Sequence, residues 1–167
     1  MSLIKANIEL EHRVEDHEEE HHEERITRIS EMSHQEAKKA FIRAIKNEHP
    51  SNLKRILKHR DDIDVNMGSG WPLLHSIEND SYNIFNILIS HPDINLNIQN
   101  GKPLLSAIDH GRYEMFKKLL KVGVDLNMCP GRLINVVKES EDSRYKFQLT
   151  KKGFTHFHAH TPSYLKR

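Results

Sequence analysis

A segment of about 31 residues recurs along this chain, and this repetition constrains the fold more than any other feature of the sequence. The segment GKPLLSAIDHGRYEMFKKLLKVGVDLN, residues 101–127, matches residues 70–97 when Pro103 is aligned with Pro72. A third, more divergent copy fits the same frame between residues 41 and 66. Repeats of about 20 to 50 residues are typical of solenoids, in which each unit buries one face against its neighbours. We therefore expect a stack of similar units instead of a globule around one core.

Each copy contains two short apolar patterns with a turn between them, and each ends in Asp-Leu-Asn or a close relative of that motif. Apolar residues spaced by three or four positions indicate amphipathic helices, so every copy is predicted to form a pair of helices. The residues that align between the two clearest copies are Ile77 with Ile108, Tyr82 with Tyr113, Phe85 with Phe116, and Leu88 and Ile89 with Leu119 and Leu120.

The motifs GKPLLSAI, HGRYEMFKKLL and GVDLN resemble the ankyrin repeat, and GWPLLHSI with INLN resembles a more divergent copy of it. The resemblance implies an all-α ankyrin-repeat solenoid of stacked helix pairs with projecting hairpin loops. Leu74 and Leu105 stand where ankyrin repeats usually have a histidine, which affects the hydrogen bonds that this histidine normally makes in the turn. The repeat domain is predicted to span residues 33–153, with repeats at about 33–66, 67–97 and 98–127 and a degenerate C-terminal cap at 128–153.

Several helix ends can be predicted from single residues. Ser33 and Glu36 have the spacing of a capping box, so the first helix should begin at about residue 34. Pro50, Pro72 and Pro103 are placed where a helix begins, because the first residues of a helix have no use for the N–H that proline lacks. The turn-forming residues before each of the last two prolines predict loops that project from the helices.

The last predicted unit has lost the repeat motif but keeps its spacing. It begins after Pro130 and Gly131, and Gly123 is predicted to end the preceding helix in a left-handed conformation. The apolar positions of the cap are Leu133, Ile134, Val136, Val137, Tyr145, Phe147 and Leu149. A basic tail with aromatic and histidine residues follows at 154–167, in which Phe154 and Phe157 are predicted to pack onto the last repeat.

Residues 1–32 lie before the repeats and form a predicted acidic, histidine-rich arm that is partly helical or mobile. Ile26, Ile29 and Met32 are spaced by three and are predicted to cover the apolar flank of the first repeat, as terminal caps of solenoids do. The arm is rich in Glu, whereas no Asp or Glu follows Asp142. The two ends of the chain should therefore carry opposite charge.

The composition limits the classes of partner and the compartment. A net charge of +1 over 167 residues gives no reason to expect nucleic acid or a membrane as partner. No apolar run approaches the roughly 18 residues of a membrane span, and the first residues lack the pattern of a secretory signal. The single cysteine, Cys129, is typical of a reducing compartment. We expect a cytoplasmic protein that is monomeric in isolation.

Two histidine clusters have spacings that resemble those of metal ligands. The HEEEH segment at residues 17–21 matches the pattern H-E-x-x-H, but the stretch is acidic throughout and has no apolar shell to exclude water. His156, His158 and His160 alternate as they would on one side of a strand, with no carboxylate nearby to orient the rings. Cys129 has no base held by a third group. The sequence therefore predicts no enzyme activity, no cofactor and no specific metal site.

The ankyrin resemblance also implies a concave face, made of loop tips and first helices, that binds other proteins. Trp71 replaces a threonine that usually closes the turn, and two interpretations stay open: an exposed hot spot, or a side chain packed between neighbouring loops. Carried onto this chain, the face comprises Met67, Ser69, Trp71, His75, Glu78, Asn79, Ile98, Gln99, Lys102, Ser106, Asp109, His110, Met128, Arg132 and Asn135.

The function predicted from these observations is that of a non-enzymatic scaffold for another protein. The style of the loop HPDINLN is similar to that of ankyrin effectors that microbes direct at host proteins, so a host-directed effector or regulator is one form of this prediction. Two alternatives remain: a metal-binding protein that uses its histidine-rich ends, and the inhibitory subunit of an enzyme.

Overall fold

The computed structural model describes residues 28–155 and residue 157. Over these residues the chain is helical and contains no β-strand, which confirms the predicted all-α class. A single helical turn at residues 28–31 comes first. The helices that follow are α1 (His34–Lys46), α2 (Pro50–His59), α3 (Met67–Glu78), α4 (Tyr82–Ile89), α5 (Ile98–Asp109), α6 (Tyr113–Val122), α7 (Pro130–Glu139) and α8 (Ser143–Lys151). The chain divides into two compact units, one up to Ile63 and one from Asp64.

In the first unit, α1 and α2 pack against each other as a pair. The predicted capping box is confirmed: the Glu36 N–H donates to Ser33 Oγ at 3.3 Å, and the Ser33 N–H donates to Glu36 Oε2 at 2.9 Å. Pro50 is confirmed in the first turn of α2. The residues of the two helices that are buried are Ala37, Phe41, Ala44, Ile45, Leu53 and Ile56.

Arg60 forms hydrogen bonds with the helical turn that precedes α1. Its Nη1 donates to the carbonyl oxygen of Ile29 at 3.2 Å and to that of Met32. Its Nε and Nη2 both donate to the carboxylate of Asp62, which also contacts His34 Nδ1 at 2.8 Å. The hydrogen bonds from Arg60, and to a lesser extent the one with His34, hold the pKa of Asp62 well below its usual value. Ile29 is 8% exposed, as predicted for a residue that covers the first repeat, whereas Ile26 lies outside the described residues.

The second unit consists of three helix pairs: α3 with α4, α5 with α6, and α7 with α8. The first helices pack in the order α3, α5, α7, and α4 packs against α6, which is the arrangement of a solenoid. Residues at equivalent positions of neighbouring pairs are buried alike, including Phe85 and Phe116 at 0% exposure. Leu74 and Leu105 are buried as well, so the residues that replace the usual histidine belong to the core.

Left-handed turns open α3 and α5. The first turn, residues 68–70, has φ values of 59°, 57° and 85°, and the second turn, residues 99–101, has φ values of 51°, 58° and 77°. In each turn the glycine N–H bonds back to the fourth residue before it: Gly70 to Asn66 O at 2.8 Å and Gly101 to Asn97 O at 3.1 Å. The right-handed part of each helix therefore begins only after its left-handed turn, at Trp71 and at Lys102, so Pro72 and Pro103 lie in its first turn as predicted. Pro72 and Pro103 are the second residues after these turns.

The last pair differs from the prediction at one apolar residue. Gly123 ends α6 with φ 95°, in the predicted left-handed conformation. Tyr145 and Leu149 of α8 are buried, but Phe147 is 65% exposed and not part of the core. The reason is helical periodicity: residues four apart share a face, and a residue two positions from each points to the opposite side. Phe154 is buried, and its ring centroid lies 5.3 Å from that of Phe157.

Candidate protein-binding face

A row of three side chains at four-residue spacing runs along α3. The rings of Trp71 and His75 are stacked, with centroids 4.9 Å apart and planes at 28°. The next member, Asn79, donates from Nδ2 to the carbonyl oxygen of His75 at 2.9 Å, and its Nδ2 lies 3.2 Å from His75 Nδ1. The spacing places all three on one helix face. The structure thus brings together three residues of the predicted binding face as one ordered row.

Trp71 is half-buried, so it matches neither of the two sequence interpretations fully. It does not stand free, since one face of its ring is taken by His75 of its own helix. The Trp71 Cβ also lies close to the first turn, because a Cβ added at Gly68 would be 3.2 Å from it. The tryptophan is therefore held in place while part of its ring remains accessible.

The corresponding row on α5 consists of Lys102, Ser106 and His110. His110 Nδ1 lies 2.9 Å from the Ser106 carbonyl oxygen and 3.3 Å from Ser106 Oγ. Ser106 is only 4% exposed, so its interpretation as an outward surface position is wrong. A side chain this short does not reach beyond its neighbours, and its hydroxyl is directed at His110. Lys102 is half-buried and His110 is exposed.

Two residues of the predicted face join the two left-handed turns. Gln99 Nε2 donates to the Ser69 carbonyl oxygen at 2.6 Å. Ile98 lies so close to Gly70 that a Cβ on the glycine would be 2.6 Å from Ile98 Cγ2. Ile98 and Gln99 therefore hold one repeat to the next, in addition to any contact they offer a partner.

Asparagines in the exit motif form a further connection that sequence reasoning missed. Asn66 Nδ2 donates to Asp93 O at 2.7 Å, and the Asn95 N–H donates to Asn66 Oδ1 at 2.8 Å. One repeat later, the Asp125 N–H donates to Asn97 Oδ1 at 2.8 Å. The recurrence of Asn at this place in each copy was the signal that pointed to such a role.

Arg112 is a second residue whose role was missed. Its Nε donates to Ile77 O at 3.3 Å and its Nη2 to Glu78 O at 3.2 Å, so it satisfies carbonyl groups at the end of α3. Its Nη1 pairs with Asp80 at 3.1 Å. These contacts fix the end of α3 at which Glu78 and Asn79 are placed.

Comparison with known proteins identifies the family of the chain. A family model described as "Ankyrin repeats (3 copies)" matches residues 30–128, which is more than half of the chain. The chain belongs to the ankyrin-repeat family. No curated protein and no solved structure matches it. Ankyrin repeats are generally protein–protein interaction modules, and the residues of the family match include both left-handed turns.

The remaining predicted face residues of this ankyrin-repeat protein carry charge of both signs. Glu78, Asp109 and Arg132 are exposed. Within the described part of the chain, no hydrogen bond or ion pair engages the side chains of Lys102, Asp109 or Arg132. The other members are Met67, which is half-buried, Met128, which is 42% exposed, and Asn135, which is exposed. These residues lie on α3, α5 and α7 or just before these helices.

Cys129 lies beside the second turn, where a Cβ on Gly101 would be 3.5 Å from its Sγ. Burial raises the pKa of its thiol, which keeps the neutral form at physiological pH and lowers its reactivity. Over residues 28–155 and 157, no three His, Cys, Asp or Glu side chains are grouped as metal ligands would be. The histidine clusters at 17–21 and at His156, His158 and His160 lie outside the described residues, so the metal-binding alternative stays a prediction. No helix in the described part of this ankyrin-repeat chain has the length and apolarity needed to cross a membrane.

Proposed function

We propose that this ankyrin-repeat protein is a non-enzymatic scaffold that binds another protein through one face of its second unit. This binding face consists of the exposed side chains of α3, α5 and α7 together with the first and second turns. The observation that carries the proposal is the stacked pair of Trp71 and His75. Tryptophan is among the residues most enriched in interface hot spots, and a tryptophan already fixed on its helix loses little side-chain entropy on binding.

The connections between repeats support a preorganised face. The hydrogen bond from Gln99 to Ser69 and the contact of Ile98 with Gly70 link the two turns. The bonds of Asn66 and Asn97 link the segments just before them. A partner that docks on a face with fixed turns need not pay for ordering them.

The chemistry of the face indicates the kind of partner that it fits. An apolar anchor of the partner would lie on the Trp71 and His75 rings, while the surrounding charges of Glu78, Asp109, Lys102 and Arg132 favour a partner surface with charges of both signs. Charge complementarity of this kind mainly sets specificity and the rate of association. We therefore expect a folded protein partner instead of a uniformly charged polymer.

The test compares two matched double variants of the full chain against the partner that co-purifies with the wild type. Trp71→Ala with Lys102→Glu removes one aromatic ring and reverses one charge on the binding face. Phe147→Ala with Lys121→Glu does the same on α8 and α6, at an exposed phenylalanine and an exposed lysine. The first variant should weaken binding by at least about tenfold, as expected for loss of a hot spot, while the second should not.

The proposal would be wrong if the Trp71→Ala and Lys102→Glu variant bound like wild type, or if only the control variant lost binding. Amide spectra of both variants show whether the repeats remain folded, which separates a lost contact from a lost fold. Activity of the partner, measured with and without this protein, distinguishes a scaffold from an inhibitory subunit, because only the inhibitor reduces the activity on binding.

A cytoplasmic location, including the host cytoplasm for a microbial effector, is part of the same proposal. Its support is the single cysteine, which fits a reducing compartment, and the resemblance of the loop HPDINLN to loops of effector ankyrins. Identification of the co-purifying protein as a host or a self protein decides between the effector and the regulator.

A further inference from the structure

A cleft of about 250 Å³ opens in the first unit, and none of its described lining residues belongs to the binding face. It lies between the helical turn at residues 28–31, α1 and α2. The residues that give it an apolar floor are Ile29, Met32, Ala40, Ala44 and Ile56. Terminal repeats of solenoids need cover for such surface, and Ile29 supplies only part of it here.

Three arginines line the same cleft: Arg28, Arg43 and Arg55. No Asp or Glu among residues 28–155 lines it, and no carboxylate of these residues forms an ion pair with any of the three guanidinium groups. Like charges gathered around an apolar floor repel one another, so the arrangement is most stable when an anion is present. Arg28 is also the first residue that the structure describes, so the acidic residues before it are close to the cleft in sequence.

Arg55 adds an observation that itself points to a ligand. Its Nη2 donates to Asn52 Oδ1, but its Nε is buried and has no hydrogen-bond partner among the described residues. An N–H that is removed from water and left unpaired is costly, and the cost is larger for a charged group. The guanidinium fork of arginine is suited to a carboxylate, which can accept from two of its N–H groups at once.

We propose that this arginine-lined cleft is the docking site of the acidic segment at residues 9–24 of the same chain. That segment contains nine Asp and Glu residues against one arginine, Arg13. It also contains the apolar residues Leu10 and Val14, which match the apolar character of the cleft floor. One stretch of sequence thus contains both carboxylates that can pair with the arginines and apolar side chains that can contact the floor.

Tethering favours this occupant over an acidic segment of any other molecule. Glu24 is four residues before Arg28, a distance that an extended chain spans in about 14 Å. A tether this short gives an effective concentration in about the millimolar range, which a free acidic peptide would have to exceed. The segment therefore closes the first repeat and occupies three arginines that would otherwise attract other anions. This inference does not depend on the proposed binding face.

The experiment uses the full chain and measures the distance from the acidic segment to the cleft. A nitroxide is attached to His17→Cys in a Cys129→Ser background, and broadening of backbone amide signals is recorded with ¹⁵N labelling. The amides of Ala40, Ala44 and Ile56 should lose intensity, whereas that of Leu149 in α8 should not. Loss at Leu149 without loss at the cleft would overturn the proposal.

Charge reversal then tests the role of the arginines. Arg43→Glu with Arg55→Glu should abolish the broadening at the cleft, and Glu18→Lys, Glu19→Lys and Glu20→Lys added to that variant should restore it. Lys121→Glu with Lys151→Glu makes the same change in net charge on α6 and α8 and should leave the broadening intact. If the reversed variant does not fold, Arg43→Gln with Arg55→Gln replaces it, with partial loss expected.

Three outcomes contradict the proposal. Broadening that persists after the arginines are reversed would mean that they do not hold the segment. A mixed sample contains a spin-labelled chain without ¹⁵N and a ¹⁵N-labelled chain without the spin label. Broadening in this sample would identify the segment of a second copy as the occupant of the cleft. Undiminished broadening at high salt would also argue against it, because contacts between exposed charges are screened.

Discussion

The first and second turns have nearly the same left-handed backbone but reach it with different residues. The first turn is Gly-Ser-Gly, and the second is Gln-Asn-Gly. An L-amino acid in this conformation costs about 1 to 2 kcal/mol, and asparagine is among the residues that tolerate it best. The second turn therefore carries more backbone strain, although it is held by the hydrogen bond of Gln99 to the first turn.

The final glycines of the two turns also differ in their surroundings. A Cβ at Gly70 would lie 2.6 Å from Ile98 Cγ2, a distance that real side chains do not adopt. A Cβ at Gly101 would meet Cys129 Sγ at 3.5 Å, an ordinary contact. Gly70 is thus required for its positive φ and for space, whereas Gly101 is required for its positive φ alone. The same residue at the same repeat position is there for partly different reasons.

The largest expected effect comes from replacing these glycines by alanine. Gly70→Ala combines backbone strain with overpacking and should lower the free energy of unfolding by about 3 kcal/mol or more. Gly101→Ala should lower it by only about 1 to 2 kcal/mol, the cost of the left-handed conformation. Urea denaturation of both variants measures the difference.

Ile98→Ala serves as the control for this pair. Added to Gly70→Ala, it removes the side chain that the new methyl group would strike, so the two substitutions should show a favourable coupling in a double-mutant cycle. Added to Gly101→Ala, it should be additive. Equal losses for the two glycine variants would show that Ile98 does not restrict the space at Gly70.

The repeats themselves were predictable because their apolar spacing is a local property of the sequence. Ile77 and Ile108, or Phe85 and Phe116, are buried as their alignment implied. The left-handed turns were not predicted beyond being loops, because Ser69 and Gln99 have no strong local preference for positive φ. They adopt it because contacts with the neighbouring repeat, such as that of Gln99 with Ser69, supply the stabilisation.

The candidate site was predicted less well than the fold for a similar reason. Ser106 looked like an outward position by its place in the repeat, yet it is 4% exposed and its Oγ lies 3.3 Å from His110 Nδ1. The clustering of Arg28, Arg43 and Arg55 joins residues far apart in sequence, and no spacing rule connects them. Repeat alignment assigns a residue to a helix, but it does not determine which side chains from different elements meet.

A smaller effect is expected at the asparagines that precede the two turns. The side chain of Asn66 makes two hydrogen bonds to the next exit motif, and that of Asn97 makes one. Asn66→Ala should therefore lower the free energy of unfolding by about 2 kcal/mol, and Asn97→Ala should lower it by about 1 kcal/mol. Asn127, whose side chain makes no such bond among the described residues, provides the matched control, and Asn127→Ala should change stability by less than about 0.5 kcal/mol. Comparable losses for all three would contradict a role for the amide bridges.

The smallest effect tests the strain within the turns themselves. Ser69→Gly should raise the free energy of unfolding by about 0.5 kcal/mol, because relief of about 1 to 2 kcal/mol of strain is partly offset by the greater freedom of glycine in the unfolded chain. The substitution keeps the Ser69 carbonyl that accepts from Gln99, so that hydrogen bond remains. Asn100→Gly should change stability by about zero, since asparagine already tolerates positive φ. Urea denaturation distinguishes the two variants by their midpoints, provided that the dependence of the free energy on urea concentration is unchanged. If Asn100→Gly raised the free energy of unfolding more than Ser69→Gly, the larger strain would lie at Asn100 and not at Ser69.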